Sequence, residues 1–253
     1  MYRAPVLKAL LHRKLPRGIV QRDSENDEDD RPHVEPTRRE DPLTATIFER
    51  LAYLPPRLTW NILCQGAKPL ADGPALPSDA PSGAPTWSFW PSLRPGAEGG
   101  NAQRVEPDVL VSWGDTVLVI EAKHYGAQWA GQWLEQIRAI QAIPAHTAKR
   151  VWFIAVGGIV PHEQDTNAAH VRRELSSALP GLLAMRWEDM HHAIDDFCIS
   201  NCPPEQSAVL NDIAAALDAW GYRKKTWFSS LRASGPSFQA ERAMAVLQAW
   251  RVR

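Results

Sequence analysis

The run "VLVSWGDTVLVIEAK", Val109–Lys123, constrains the fold more than any other stretch of the 253-residue chain. Two apolar segments of strand length flank Gly114-Asp115, a pair that favours the tight turn of a β-hairpin. The sequence therefore predicts two antiparallel strands, about 108–113 and 116–123. The second is apolar from Val117 to Ile120 and then ends in Glu121-Ala122-Lys123. Desolvating an unpaired ion is costly, so buried strands normally exclude charge. Either this strand is an edge element with its charges in water, or the charges serve a purpose.

Strand geometry narrows the choice. Glu121 and Lys123 are two residues apart and share a face with Val117 and Val119, at the far end of the strand. Asp108, just after Pro107, opens the partner strand six residues before Gly114, and Glu121 lies six residues after Asp115. Folding about the turn sets Asp108 and Glu121 roughly opposite each other. Two close carboxylates repel unless protonated or bridged by a cation. Their hard oxygens suit Mg2+ or Mn2+. Lys123 is placed to orient a water and to offset charge developing on phosphorus. Phosphodiester hydrolysis needs these parts. A carboxylate pair alone also serves glycoside hydrolysis, in which the lysine has no evident role.

Helical and strand-length segments surround the hairpin. "REDPLTATIFERLAYLP" predicts a helix with Ile47, Leu51 and Leu54 on one face, Pro42 in its first turn and Asp41 or Thr44 as cap. "RLTWNILCQGA" follows as a second helix. Residues 66–85, rich in Pro, Gly, Ala and Ser, read as a flexible loop, and "TWSFWPSL" as a short aromatic strand. Beyond the hairpin, a helix over about 127–142 carries Trp129, Trp133, Ile137 and Ile140. "RVWFIAV" reads as a buried strand, "DTNAAHVRRELSSAL" as a helix capped by Asp165 or Thr166, "LLAMRW" as a strand, and the remainder as helices. The fold class is α/β: a mixed central sheet covered by helices on both faces.

Three domain-level segments follow: a leader over 1–39, a core over 40–200 and a helical C-terminal extension over 203–253. Residues 1–22 carry six basic and no acidic side chains, 23–30 six acidic ones, and 223–253 seven basic against Glu241 alone. With a net charge of −1 the chain is no polycation, yet it offers local basic surface for phosphate. No apolar run approaches a bilayer span and no secretory signal is evident, so a cytoplasmic protein without a membrane segment is expected. Cys64, Cys198 and Cys202 do not form a disulfide framework. With His191 and His192 the latter two fit no common zinc spacing, and they read as small buried thiols beside surface histidines.

"Glu106-Pro107-Asp108 … Glu121-Ala122-Lys123" resembles the signature of the PD-(D/E)xK nuclease superfamily. The resemblance covers about half of the chain. It implies a restriction-endonuclease-like αβββαβ core, an order that the reading of residues 40–156 reproduces. It implies a Mg2+- or Mn2+-dependent endonuclease acting on DNA, with RNA not excluded. Asp108, Glu121, the carbonyl of Ala122 and a helix glutamate would hold the metal, and Lys123 would position the water. Glu40 suits that helix position better than Glu49; capping and solvated-face roles are the plain alternatives. Relatives also carry a glutamine on the helix after the lysine. Gln128, Gln132 and Gln136 form one stripe there, with Gln132 best placed, while Gln136 stands where a tyrosine often follows.

The resemblance further implies service in phage defence, restriction or repair, with protein partners in a multi-subunit system. Two other readings stand beside it: a catalytically silent nucleic-acid-binding or assembly subunit, and an unrelated interaction domain with an edge hairpin. Trp87 and Trp90 are candidates to flank the substrate channel. Trp220, Tyr222, Trp227 and Phe228, interleaved with Arg223-Lys224-Lys225, offer base stacking, although helix packing is their commoner role. His124 and Tyr125 read as strand-end residues.

Overall fold

The computed structural model describes residues 40–93, 104–160, 162–175, 181–199 and 202–223. The elements run α1 (Glu40–Leu51), α2 (Pro56–Gly66), β1 (Lys68–Pro69), β2 (Thr86–Phe89), β3 (Val109–Trp113) and β4 (Thr116–Ala122). There follow α3 (Ala130–Gln141), a 3-10 turn (Pro144–His146), β5 (Arg150–Val156), α4 (Glu163–Leu175), β6 (Gly181–Met185), α5 (Trp187–Ile199) and α6 (Pro204–Ala219). Residues through Arg223 belong to one compact unit; Lys224–Arg253 form a second, which lies outside the described residues, as do 1–39. Among the described residues no helix is long and apolar enough to cross a membrane.

The six strands form one mixed sheet in the order β1-β6-β5-β4-β3-β2. The expected α/β architecture is therefore present. The hairpin holds β3 and β4 antiparallel, Val109 opposite Ile120 and Trp113 opposite Thr116. Gly114 takes φ +54° at the turn, and a Cβ there would lie 2.9 Å from the Ser82 carbonyl oxygen. Glycine removes both problems. The crossovers through α3 and α4 leave β4, β5 and β6 mutually parallel.

Period-two alternation splits the apolar side chains between two cores. Val111, Leu118, Ile120 and Ile154 join Phe48, Trp60, Met190 and Ile213 on the face covered by α1, α2, α5 and α6. Val117, Val119 and Phe153 meet Trp133, Ile137 and Val171 under α3 and α4. Both faces are thus buried, which explains why β4 and β5 read as near-continuous apolar runs.

Several expectations need correction. Of the two readings of the hairpin, the edge element is excluded and the buried strand stands: β4 is flanked by β3 and β5, and β3 by β2. Residues 66–85 are not a free loop. They contribute β1, and the Pro77 carbonyl accepts hydrogen bonds from Trp60 Nε1 at 2.8 Å and Cys64 Sγ at 3.4 Å. The helix predicted from 127 begins at Ala130, and Trp129 is its exposed N-cap rather than part of the buried face. α4 begins at Glu163, so Asp165 and Thr166 lie within its first turn; Asp165 accepts from the Ala71 amide instead. α1 begins at Glu40, which places Asp41 and Thr44 inside it. His191 is buried, not on the surface, with Nδ1 3.4 Å from Asp195 and Nε2 3.3 Å from Asp218.

Candidate active site

The parallel strands β4, β5 and β6 end together, and the chain segments leaving them are tied to one another. Lys123 N donates to the Val156 carbonyl at 2.7 Å, Gly157 N to the Met185 carbonyl at 2.9 Å, and Trp187 Nε1 to the Lys123 carbonyl at 2.9 Å. Gly157 has φ +64°, and a Cβ there would stand 2.0 Å from the Lys123 carbonyl oxygen. Ligand sites of open α/β sheets lie at this carboxyl end of the strands.

Glu121 is the last polar residue of β4 on the α3 face, and only 1% of it is exposed. Four hydrogen-bonding groups account for its burial. Lys123 Nζ reaches Oε1 at 2.5 Å, Gln132 Nε2 reaches the same oxygen at 2.6 Å, and Gln136 Nε2 reaches Oε2 at 2.5 Å. Gln132 and Gln136 lie one turn apart on α3, so one helix face supplies both amides. The fourth contact is to the backbone: Gln128 Nε2 lies within 3.3 Å of the carbonyls of Glu121, Val156 and Gly157, while its Oε1 accepts from Trp133 Nε1. The stripe of three glutamines thus has two roles, Gln128 holding the strand ends and the other two the carboxylate.

Asp108 is buried at the start of the neighbouring strand. Extending the β3–β4 register by one step sets it opposite Glu121. Its Oδ2 accepts from the Ala122 amide at 2.8 Å and its Oδ1 from Trp90 Nε1 at 3.1 Å. The same extension puts Pro107 opposite Ala122. Pro107 has no N–H, and the aspartate side chain caps that rung of the ladder.

The structure brings Asp108, Ala122, Glu121, Lys123, Gln132 and Gln136 together at one end of the sheet. Glu49 is buried in α1 and accepts from Tyr53 at 3.2 Å. Glu40 opens the same helix, and its side chain lies outside the described residues. Trp87 is half-buried on β2. Trp90 is buried and bonded to Asp108 instead of flanking an open channel. Tyr222 packs between Trp187 and His124, its hydroxyl 2.6 Å from His124 Nδ1 and 3.0 Å from the His124 carbonyl. Burial first, then the carboxylate of Glu188, pushes the Tyr222 phenol above its ordinary range. Trp220 packs against the core, and Trp227 and Phe228 lie outside the described residues.

Do these groups suit a divalent cation? Among the described residues no three His, Cys, Asp or Glu side chains are grouped as a ready-made metal cluster. The donor chemistry nevertheless fits a hard ion: two carboxylates on adjacent strands, each with further lone pairs beyond its hydrogen bonds. Gln136 adds an amide oxygen, Oε1, that is buried and has no hydrogen-bond partner. Such an oxygen needs a donor or a cation.

Sequence reasoning reached the two carboxylates, the lysine and the glutamine stripe. It missed the roles of Trp90, Trp187 and Gly157, which carry no local pattern, because each acts through a contact made only after the sheet closes. Compared with protein-family models, with curated proteins and with solved structures, the chain gives no match.

Proposed function

We propose that the protein is a metal-dependent endonuclease that hydrolyses phosphodiester bonds in DNA, built on a restriction-endonuclease-like core. The observation that carries this reading is the pairing of Glu121 with Lys123 at 2.5 Å, across the hairpin from Asp108. With α2 and the two-residue β1 set aside as additions after α1, strands β2–β4, helix α3 and strand β5 complete the αβββαβ order of the PD-(D/E)xK superfamily.

In this reading Asp108, Glu121, the Ala122 carbonyl and Glu40 would hold Mg2+ or Mn2+. The bound ion would polarise the scissile phosphate and make a water acidic enough to attack it. Lys123 orients that water and offsets charge building on the phosphate oxygens. Gln132 and Gln136 fix the rotamer of Glu121, so it need not reorganise during the reaction. Trp90 and the Ala122 amide do the same for Asp108.

A silent assembly or nucleic-acid-binding subunit is the competing reading. It is favoured by one observation: the Glu121 carboxylate is already engaged by three side chains of its own chain. Nicking of supercoiled plasmid separates the two. Cleavage that depends on Mg2+ or Mn2+ and is lost in a folded Lys123→Ala protein supports the enzyme. Wild-type protein that cuts neither DNA nor RNA with any divalent cation sinks it. A cytoplasmic location, companion subunits and a role in phage defence, restriction or repair belong to the same proposal.

A further inference from the structure

Of the nine tryptophans among the described residues, eight are buried or half-buried; Trp129 is 63% exposed. A single exposed apolar side chain is common on protein surfaces, and what singles out Trp129 is its place on the segment leaving the site. The ring is also fixed. A Cβ on Gly131 would lie 2.4–2.8 Å from three atoms of the Trp129 six-membered ring. The indole therefore lies against the helix backbone over Gly131, with its outer face in solvent. Tyr125, 58% exposed, stands at the other end of the same loop, its ring 3.9 Å from that of His124. His124 is in turn held by Tyr222.

The segment carrying both rings runs from the site lysine, Lys123, to the helix that supplies Gln132. It is anchored beneath the site by Gln128, whose side chain reaches the Glu121 carbonyl and whose own carbonyl accepts from Asn167 Nδ2 at 3.2 Å. Trp129 adjoins that anchor directly. Two exposed aromatic rings thus lie on the short segment that joins Lys123 to the helix carrying Gln132.

We propose that Trp129 and Tyr125 form a stacking platform for unpaired nucleobases, so that the site selects single-stranded over fully paired nucleic acid. The inference rests on the phosphodiesterase reading above. A base in a duplex is already stacked on its neighbours, whereas an unpaired base gains a partner on an aromatic face. Because the indole already rests on the Gly131 backbone with its outer face in solvent, stacking needs no new rotamer. A stack contributes about 1–3 kcal/mol per base, so removing one ring should cost roughly five- to 150-fold in single-strand affinity.

The test is fluorescence anisotropy with a labelled single-stranded oligonucleotide and a fully paired, GC-closed duplex, in Ca2+, followed by cleavage of both in Mg2+. Trp129→Ala should lower the single-strand to duplex affinity ratio about tenfold, Trp129→Phe should largely retain it, and Gly131→Ala, which displaces the indole, should lower it. A ratio unchanged in Trp129→Ala, with wild type binding nucleic acid, overturns the platform and leaves the nuclease reading standing. Wild type that prefers the closed duplex also overturns it. Wild type that neither binds nor cuts either substrate removes the nuclease reading, and the platform with it.

Discussion

Trp90 donates its indole N–H to Asp108 from a backbone with φ +46°, a left-handed conformation that bulky side chains rarely adopt. Its own amide donates to the Asp108 carbonyl at 2.9 Å, so backbone and side chain grip one residue. Backbone strain of this kind persists where surrounding contacts enforce it, and it concentrates at functional sites. Trp90→Phe keeps most of the buried ring and removes the donor. The expected result is a loss of about 1–2 kcal/mol in urea unfolding, with a higher Mg2+ concentration for half-maximal cleavage. A variant of wild-type stability and metal response would show that the indole does not position Asp108.

The Glu121–Lys123 pair is buried, the two side chains 1% and 17% exposed. Removing Lys123 strips the buried carboxylate of this opposite charge and leaves the neutral amides of Gln132 and Gln136 on it. Lys123→Met should destabilise the fold by about 3 kcal/mol, and the double variant Glu121→Leu/Lys123→Met by less than the sum of the single changes. Chemical denaturation of all four proteins in a double-mutant cycle measures this. Additive costs would mean that the two charges are held independently.

Gly157 admits no other residue. Gly157→Ala adds a Cβ 2.0 Å from the Lys123 carbonyl and 2.4 Å from Trp187 Nε1, at positive φ. We expect a loss of roughly 2 kcal/mol or more and a parallel loss of activity, because the same contact places Lys123. Thermal unfolding reads the first and plasmid nicking the second. Unimpaired cleavage in the variant would separate this turn from the site.

Acid sensitivity should report on the start of α5. Burial raises the Asp189 pKa, but hydrogen bonds and charge from Arg186 outweigh it and hold the carboxyl below the usual range. A depressed folded-state pKa adds stability above the unfolded value, about 3.9, and that stability fades as pH falls through the folded value. Asp189→Asn should therefore lower Tm at pH 7, with the difference shrinking below about pH 3.9. An equal difference at pH 7 and pH 2.5 would assign the loss to packing.

Cys64 should be a slow thiol. Burial pushes it up to about 11, with Sγ donating to the Pro77 carbonyl. At pH 8 the thiolate fraction falls about two orders of magnitude below that of a free cysteine. Iodoacetamide labelling followed by mass spectrometry should show that lag, and labelling at the rate of a free thiol would mean the loop over 66–85 opens readily.

The sheet was legible in the sequence wherever the pattern was local. The hairpin needed only alternation, Gly114-Asp115 and a count outward from the turn to set Asp108 against Glu121. Helical periodicity sufficed for Gln132 and Gln136, but Gln128 precedes α3 and binds the strand ends instead. Contacts closed over long separations left no such trace: Trp187 to Lys123 spans 64 residues, and Trp60 to Pro77 turns an apparent loop into packed structure. β1 was invisible because two residues, Lys68 and Pro69, carry no strand pattern of their own. Trp129 shares its helical spacing with Trp133, Ile137 and Ile140, and spacing alone cannot tell an N-cap from the first buried position.

The junction of antiparallel and parallel pairing at β4 has a consequence for the order of assembly. Asp108 and Glu121 meet through a two-residue turn, a local closure that hairpins complete in about 1–10 μs. The parallel pairing of β4 with β5, which seats Lys123 against Val156, needs the crossover through α3 and is a slower, non-local event. Pulse-labelling hydrogen exchange should protect the Ile120 and Val109 amides, which face each other across the hairpin, before those of Val156 and Lys123. The nascent chain would then hold its two acids face to face before the segment carrying their lysine is seated, so the site is the last part of the sheet to be completed.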